Sequence, residues 1–200
     1  MIKKIKIIFI SMSTLFVFAC SSNSYNIDTI NGKVLDNSSK IPLQSVSIYL
    51  VNGGSGMKMT YLSPINSDEV AEGSDISALR IANDELSKYT SRVTTDRNVL
   101  TEDKALEIGT INKNDYLIYS RVEKWSDPLG INCNEYYYDE ASVLISMYSL
   151  KDKKLINTSR LSSASCPSKV NGIPLSTGSP EKLYEILFSK WLNENFSIKK

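Results

Sequence analysis

The chain has 200 residues, 42% of them hydrophobic, with 23 Lys+Arg against 22 Asp+Glu and a formal net charge of +1. That balance leaves no electrostatic footprint for nucleic acid. Histidine is absent and there are three cysteines, which excludes Ser-His-Asp and Cys-His mechanisms and nearly excludes zinc sites of the usual kind.

The chain opens Met1-Ile2-Lys3-Lys4-Ile5-Lys6, a charged start, followed by an apolar run from Ile7 to Ala19. The run has the length of a signal-peptide core and falls short of the ~20 apolar residues of a membrane-spanning helix. It ends in Val17-Phe18-Ala19-Cys20, then Ser21-Ser22. A small residue directly before a cysteine at the end of such a core resembles the lipobox of bacterial lipoproteins. Residues 1–19 are therefore expected to be a lipoprotein signal peptide, with Cys20 as the lipidation site. Two or three acyl chains on that residue anchor stably where one does not. Ser21 in place of an aspartate resembles the sorting pattern for the outer membrane, on its periplasmic face. Cleavage after residue 19 leaves 181 residues and takes away Lys3, Lys4 and Lys6, so that 20 basic residues face 22 acidic ones. No basic run predicts a second, electrostatic membrane contact.

Residues 20–42 are expected to be the lipidated N-terminus and a flexible tether, rich in Ser, Asn, Asp and Gly. A flexible chain of that length spans roughly 25 Å. Ile30 to Leu35 is the one stretch in it that could form a short strand. The globular domain is expected over residues 43–200, enough for a single core. It begins with a strand over Ser45–Val51, with Val46, Ile48 and Leu50 on one face. Asn52-Gly53-Gly54-Ser55-Gly56 ends it. This cluster lacks the spacing of a phosphate loop and reads as a flexible turn.

A helix follows over Asp75–Tyr89, with Ser74 as N-cap and Ile76, Leu79, Ala82, Leu86 and Tyr89 sharing a face. A short strand is expected near Arg92–Thr94. A second helix fits Thr101–Ile111, capped by Thr101, with Ala105, Ile108 and Asn112 on one side and Leu106 nearby. Three strands come next. Asp115–Trp125 is apolar on both faces, as a central strand would be. Ala141–Leu150 places Val143, Ile145 and Met147 together. Lys154–Ser165 places Leu155 and Leu161 on one face and Ile156 opposite, after a hairpin turn at Lys151-Asp152-Lys153. A last helix, Pro180–Asn195, is capped by Ser179, has proline at its first position, and carries a stripe of Leu183, Ile186, Leu187, Lys190, Trp191 and Leu192. The expected fold is α/β (α+β): a single domain with a mixed sheet of about five strands, helices packed on it, in the order β-α-β-α-β-β-β-α.

Cys133 and Cys166 form an even pair in an exported chain, which predicts a disulfide. It would close a loop of about 34 residues and add roughly 3–4 kcal/mol in the chain-entropy picture. The hairpin register brings both cysteines to one end of the sheet.

The stretch Asp115-Tyr116-Leu117-Ile118 running to Glu123-Lys124-Trp125-Ser126-Asp127 resembles an uncharacterised family of proteobacterial lipoproteins, known only as domain of unknown function 4823. In that family a strand ends in a Trp-Glu-Asp-like motif, two strands join at a Gly-Lys turn, and a Gly-Asp-x-Pro-like turn opens the last helix. Gly178-Ser179-Pro180-Glu181-Lys182-Leu183 stands in for that turn here; Ser126 replaces the acidic residue, and the Gly-Trp after the last family strand is missing. The resemblance covers roughly residues 45–195. It implies an α/β domain similar to the amino-terminal domain of the Tol-Pal translocation protein and to curli-type secretion lipoproteins. The family has no established activity, so no functional residue carries over.

Candidate chemistry is sparse. Asp127, Asp139 and Glu140 flank the strand ends beside Trp125, and two acids with an aromatic platform could serve a glycosidase; carboxylates at strand ends are far more often solvated. Tyr136-Tyr137-Tyr138 could stack on a sugar or meet a protein, although such a run more often straddles a strand start. Trp191 reads as core. Trp125, Asp127, Tyr136, Tyr137 and Tyr138 together mark a possible binding surface, with no catalytic, cofactor-binding or metal residue and no cofactor expected. The reading is an envelope protein that meets a membrane through its N-terminal lipid and docks an envelope protein partner. It does not bind nucleic acid, is not an enzyme, and belongs to assembly or secretion. The alternative is a small hydrolase of envelope glycan or peptide using Asp and Glu. A third reading is a binder of a small ligand or glycan.

Overall fold

The structure, a computed structural model, describes residues 24–59, 68–127, 139–165, 169–170, 173–174 and 179–198. Cys20, Cys133, Cys166 and the run Tyr136-Tyr137-Tyr138 lie outside them. The described chain runs β1 (Ser24–Gly32), β2 (Ile41–Pro42), a short 3-10 turn at Leu43–Ser45, β3 (Ile48–Asn52), β4 (Met57–Met59), β5 (Asp68–Val70), α1 (Ser74–Ser87) and β6 (Val93–Val99). It continues with α2 (Glu102–Ile111), β7 (Tyr116–Ser126), β8 (Asp139–Ser149), β9 (Lys154–Ser165), β10 (Lys169–Val170), β11 (Ile173–Pro174), α3 (Pro180–Asn195) and β12 (Phe196–Ser197).

One eight-stranded mixed sheet carries the order β1-β9-β8-β7-β3-β6, with β4 beside β7 and β5 beside β4. The order read from the sequence is there as β3-α1-β6-α2-β7-β8-β9-α3, and the class is α+β. The sheet is wider than about five strands because β4 and β5 join it and because residues 24–32, expected mainly as tether, form an edge strand. β1 pairs antiparallel with β9 from Ser24↔Ala164 to Gly32↔Asn157. Backbone hydrogen bonds hold an edge strand whatever its side chains are, so a Ser- and Asn-rich run can fill the place. Tyr25 and Ile27 still turn inward to pack on the core. Gly32 ends the strand at φ +86°, and a Cβ there would lie 2.1 Å from the Ile156 carbonyl oxygen.

β3 is buried at all five positions because helices cover both faces of the sheet here. Ile48 and Leu50 join the larger core under α1 and α3, while Tyr49 and Val51 join a smaller one with Ala105 of α2, Leu117 and Leu150. β7 divides the same way, Ile118 to the first core and Leu117 to the second. Val143, Ile145 and Met147 of β8 share the larger core. In β9 a register shift, Met147↔Asn157 followed by Tyr148↔Leu155, inserts an extra residue. That bulge reverses the expected facing: Ile156 joins Leu161 on the large core and Leu155 does not.

The helix ends refine the sequence reading. α1 is capped by Gly73 at φ +77°, with no side-chain cap bond, and not by Ser74. The Ser74 hydroxyl accepts instead from the Gly56 N–H at 3.1 Å. The buried stripe of α1 is Ala78, Leu79, Ile81, Ala82 and Leu86, and Ile76 is left 43% exposed. On α2 the Thr101 hydroxyl accepts from the Lys104 N–H, as its position predicts, while Asn112, expected on one side with Ala105 and Ile108, is exposed. α3 keeps its expected bounds and its Ser179 cap. Tyr184 and Phe188 lie in its buried stripe, and Ile186 and Lys190 do not. Lys190 reaches over the Tyr25 ring at 4.5 Å and ties α3 to β1. An aromatic chain Trp125–Tyr184–Phe188–Trp191–Phe196, with centroids 5.5–6.1 Å apart, runs the length of α3. Each such pair is worth about 0.5–1.5 kcal/mol beyond its buried area.

Candidate functional site

Two places at the carboxyl ends of central strands gather polar side chains. The first is the carboxyl end of β3. From β3 the chain passes through α1 to β6 on one side, then through α2 to β7 on the other. In parallel sheets a ligand crevice opens where the order reverses in this way. Here the chain fills it with itself. Asn52, 1% exposed, donates to Asp75 Oδ2 at 2.7 Å and to the Arg97 carbonyl at 3.1 Å, and accepts from the Gly54 N–H at 2.8 Å. Ser55 donates to Asp75 Oδ1 at 2.7 Å. Burial alone would raise the Asp75 carboxyl, but the bonds from Asn52, Ser55 and the Ile76 N–H outweigh it and hold it below its ordinary value. The carboxylate of Asp75 thus takes the α1 N-terminus that a phosphate would otherwise use. The Asn52–Gly56 loop, read as a flexible turn, is bonded into place.

The second place is the end of the sheet where β7 stops and β8 starts. Ser126 pairs with Glu140, and Asp139 pairs with Ser165, so the sheet's own register brings Asp127 and Asp139 together. Asp139 is 4% exposed, and its Oδ2 has no hydrogen-bond partner among the described residues. Burial, the Asp127 charge and the hydrogen bond with Asp127, then Glu181, push the Asp139 carboxyl up to about 7. Asp139 holds the proton and donates it; Asp127 accepts, and burial with Glu181 keeps Asp127 itself above its ordinary value. Beside the pair lies an open cleft of about 640 Å³ walled by Glu69, Glu72, Asp127, Glu181 and Lys58. Lys58 is paired with Glu69 at 3.8 Å, so the cleft is net acidic.

Of the sequence candidates, Asp127 does line this cleft. Trp125 touches it but is 7% exposed and stands edge-on to Tyr184 at 5.9 Å, so it is a core residue and not an open platform. Glu140 stays apart, in an ion pair with Lys124 at 3.3 Å. The sequence reading missed Glu181, which the first turn of α3 delivers; an acidic residue after a proline at a helix start was the available signal. It also missed Glu123, which takes both Arg160 Nε at 2.7 Å and Nη2 at 2.9 Å across β8. Cys133, Cys166 and the tyrosine run lie outside the described residues; the described β8–β9 ladder ends at Asp139↔Ser165, one residue before Cys166. Among the described residues no group of three or more His, Cys, Asp or Glu is arranged to hold a metal, and no helix is long and apolar enough to cross a membrane.

The two carboxyls share one hydrogen bond, which is closer than the ~5–5.5 Å or ~6.5–9.5 Å separations of glycosidase acids. The pair is built like a proton-sharing structural dyad.

No family model and no curated protein sequence matches the chain. Solved structures do. The PelC dodecamer from Paraburkholderia phytofirmans superposes with a TM-score of 0.54 at 14% identity, over 89% of this chain and 100% of that one. A crystal form of PelC carrying one leucine-to-methionine change gives 0.55 at 13% identity, over 86% and 99%. Protein XCC0632 from Xanthomonas campestris is more loosely similar, at 0.45 and 12% identity over 82% and 88%. At these identities the likeness to PelC shows the fold. No match supports the resemblance to the lipoprotein family of unknown function or to the Tol-Pal translocation protein.

Proposed function

We propose that this chain is a lipid-anchored, non-enzymatic protein of the cell envelope, on the periplasmic face of the outer membrane, whose domain docks proteins, beginning with further copies of itself. The anchor rests on Cys20 at the end of the signal-like run. The docking role rests on one structural observation. The ligand position of the parallel sheet is filled by Asn52 and Asp75, while the edge strands β1 and β6 have, among the described residues, no second neighbour. Apolar side chains sit on both edges, Ile30 at 52% and Val99 at 61% exposure. Open edges recruit strands. Two different edges on one molecule make head-to-tail contacts, which form a ring where the rotation between copies closes, and PelC, similar in fold, is a dodecamer.

Mass measurement on the full, detergent-extracted protein tests this. The expected result is a closed oligomer of several copies. Val99→Lys on β6 should disperse it to monomers without moving the thermal midpoint by more than a degree or two, since Val99 is exposed. A wild-type monomer at all concentrations, with no reproducible partner crosslinked in the envelope, would overturn the reading.

The shared proton of Asp127 and Asp139 favours a second reading, an acid-based hydrolase of envelope glycan or peptide. Hydrolysis lost in D127N together with D139N, with the fold retained, would support it. The burial of Asp139 stands against it.

A further inference from the structure

The ladder between β1 and β9 fixes more than the width of the sheet. Ser24 pairs with Ala164, Ala164 with Glu140, and Glu140 with Ser126, so these four residues form one row across four strands. That row is the end of the sheet that carries Asp127, Asp139 and the α3 N-terminus at Pro180. At the other end, Gly32 pairs with Asn157, Asn157 with Met147 and Met147 with Ile118. The hairpin Lys151-Asp152-Lys153 lies beyond it. Only four residue steps separate Cys20 from Ser24. Four steps of backbone reach at most ~14 Å, whatever their conformation. A tether of 22 residues would let the domain tumble freely; four residues joined to a strand bonded along its whole length do not.

We propose that the domain meets the membrane surface by a fixed end: the row Ser24–Ala164–Glu140–Ser126 faces the lipid, and the β8–β9 hairpin points away from it. This rests on the lipid-anchor reading at Cys20. The nine residues of β1 span ~27 Å at a strand's rise per residue, so the two ends differ in height by about that length. The near end presents Asp127 and Glu181, with Glu140 paired to Lys124 and Lys58 to Glu69, a mildly acidic face that suits a zwitterionic headgroup layer better than a strongly anionic one. The far end, with the hairpin and β6–α2 side of the sheet, is then the part free to meet other molecules.

The test uses the full lipidated protein, reconstituted in vesicles of phosphatidylethanolamine with some phosphatidylglycerol. One fluorophore is placed through an unnatural amino acid at Asn26 on β1, or at Lys151 in the hairpin; both positions are exposed. Energy transfer to a short-range acceptor on the lipid headgroups is then compared. Transfer is expected to be several-fold greater from Asn26 than from Lys151. Inserting ten Gly-Ser residues between Asn23 and Ser24 should abolish the difference while leaving the fold unchanged. Equal transfer from the two positions in protein that floats with the vesicles would overturn the fixed end and leave the anchor standing. Protein that carries no lipid and does not float would overturn the anchor, and the fixed end with it.

Discussion

Two carboxylates give the molecule opposite responses to pH. Asp139 keeps its proton up to about 7 when folded, whereas an unfolded aspartate ionises near ~3.9. The folded state therefore holds a proton that the unfolded state releases, and stability falls as pH rises from about 4 to about 7. Asp139→Asn removes that slope. Near pH 8 it should stabilise the protein by ~2 kcal/mol, below the ~4 kcal/mol ceiling set by the shift itself. Urea midpoints at pH 5 and pH 8 check this, and an unchanged slope in the variant would contradict it. Glu123 behaves the other way. The Arg160 guanidinium holds its carboxyl below the ordinary value against burial, with help from Ser142. Its stabilisation is present at neutral pH and is lost on acidification below the usual carboxylate range. The Arg160 and Glu123 side chains are 44% and 24% exposed, so Glu123→Gln should cost only ~0.5–1 kcal/mol at pH 7, and progressively less as pH falls below the usual carboxylate range. At this scale the sequence was half legible. Asp127 and Asp139 stood out by their places at strand ends. Glu181 and Arg160 did not, because both are brought in by tertiary structure from distant parts of the chain, and Glu140 was counted with the pair although it faces Lys124.

Among the elements, those with long periodic patterns were legible and those held by backbone alone were not. α3 and β9 have the bounds their patterns predict, because a wide apolar stripe and a long alternation leave little choice. The facing of β9 was misread at Leu155 and Ile156, since a bulge leaves no mark in an alternating sequence. β1 was missed because its place comes from the β9 backbone. That gives a direct test of β1. Gly32→Ala places a Cβ 2.1 Å from the Ile156 carbonyl oxygen at φ +86°. The substitution should cost ~2 kcal/mol or more and release the end of β1, with amide-exchange protection lost over residues 28–32 first. Full protection retained there would show that β1 is not docked as described.

For the whole molecule, class and element order could be read from hydrophobic periods, but assembly could not. The proposed ring depends on which edges remain open, and β1 as an edge was invisible before folding. The missing histidine alone excludes the histidine-dependent mechanisms. The loop at Asn52 bonds to its own neighbours, and Asp139 is buried at the end of the sheet. The proposed lipid on Cys20 would lie four residues from the first strand of an open-edged sheet, and the proposed orientation and partners depend on it. Intact mass spectrometry of the protein taken from cell envelopes tests it most directly. A chain beginning at Cys20 and carrying a diacylglyceryl group and a further acyl chain is the predicted result. An unprocessed chain, or a mature one with an unmodified cysteine, would contradict it.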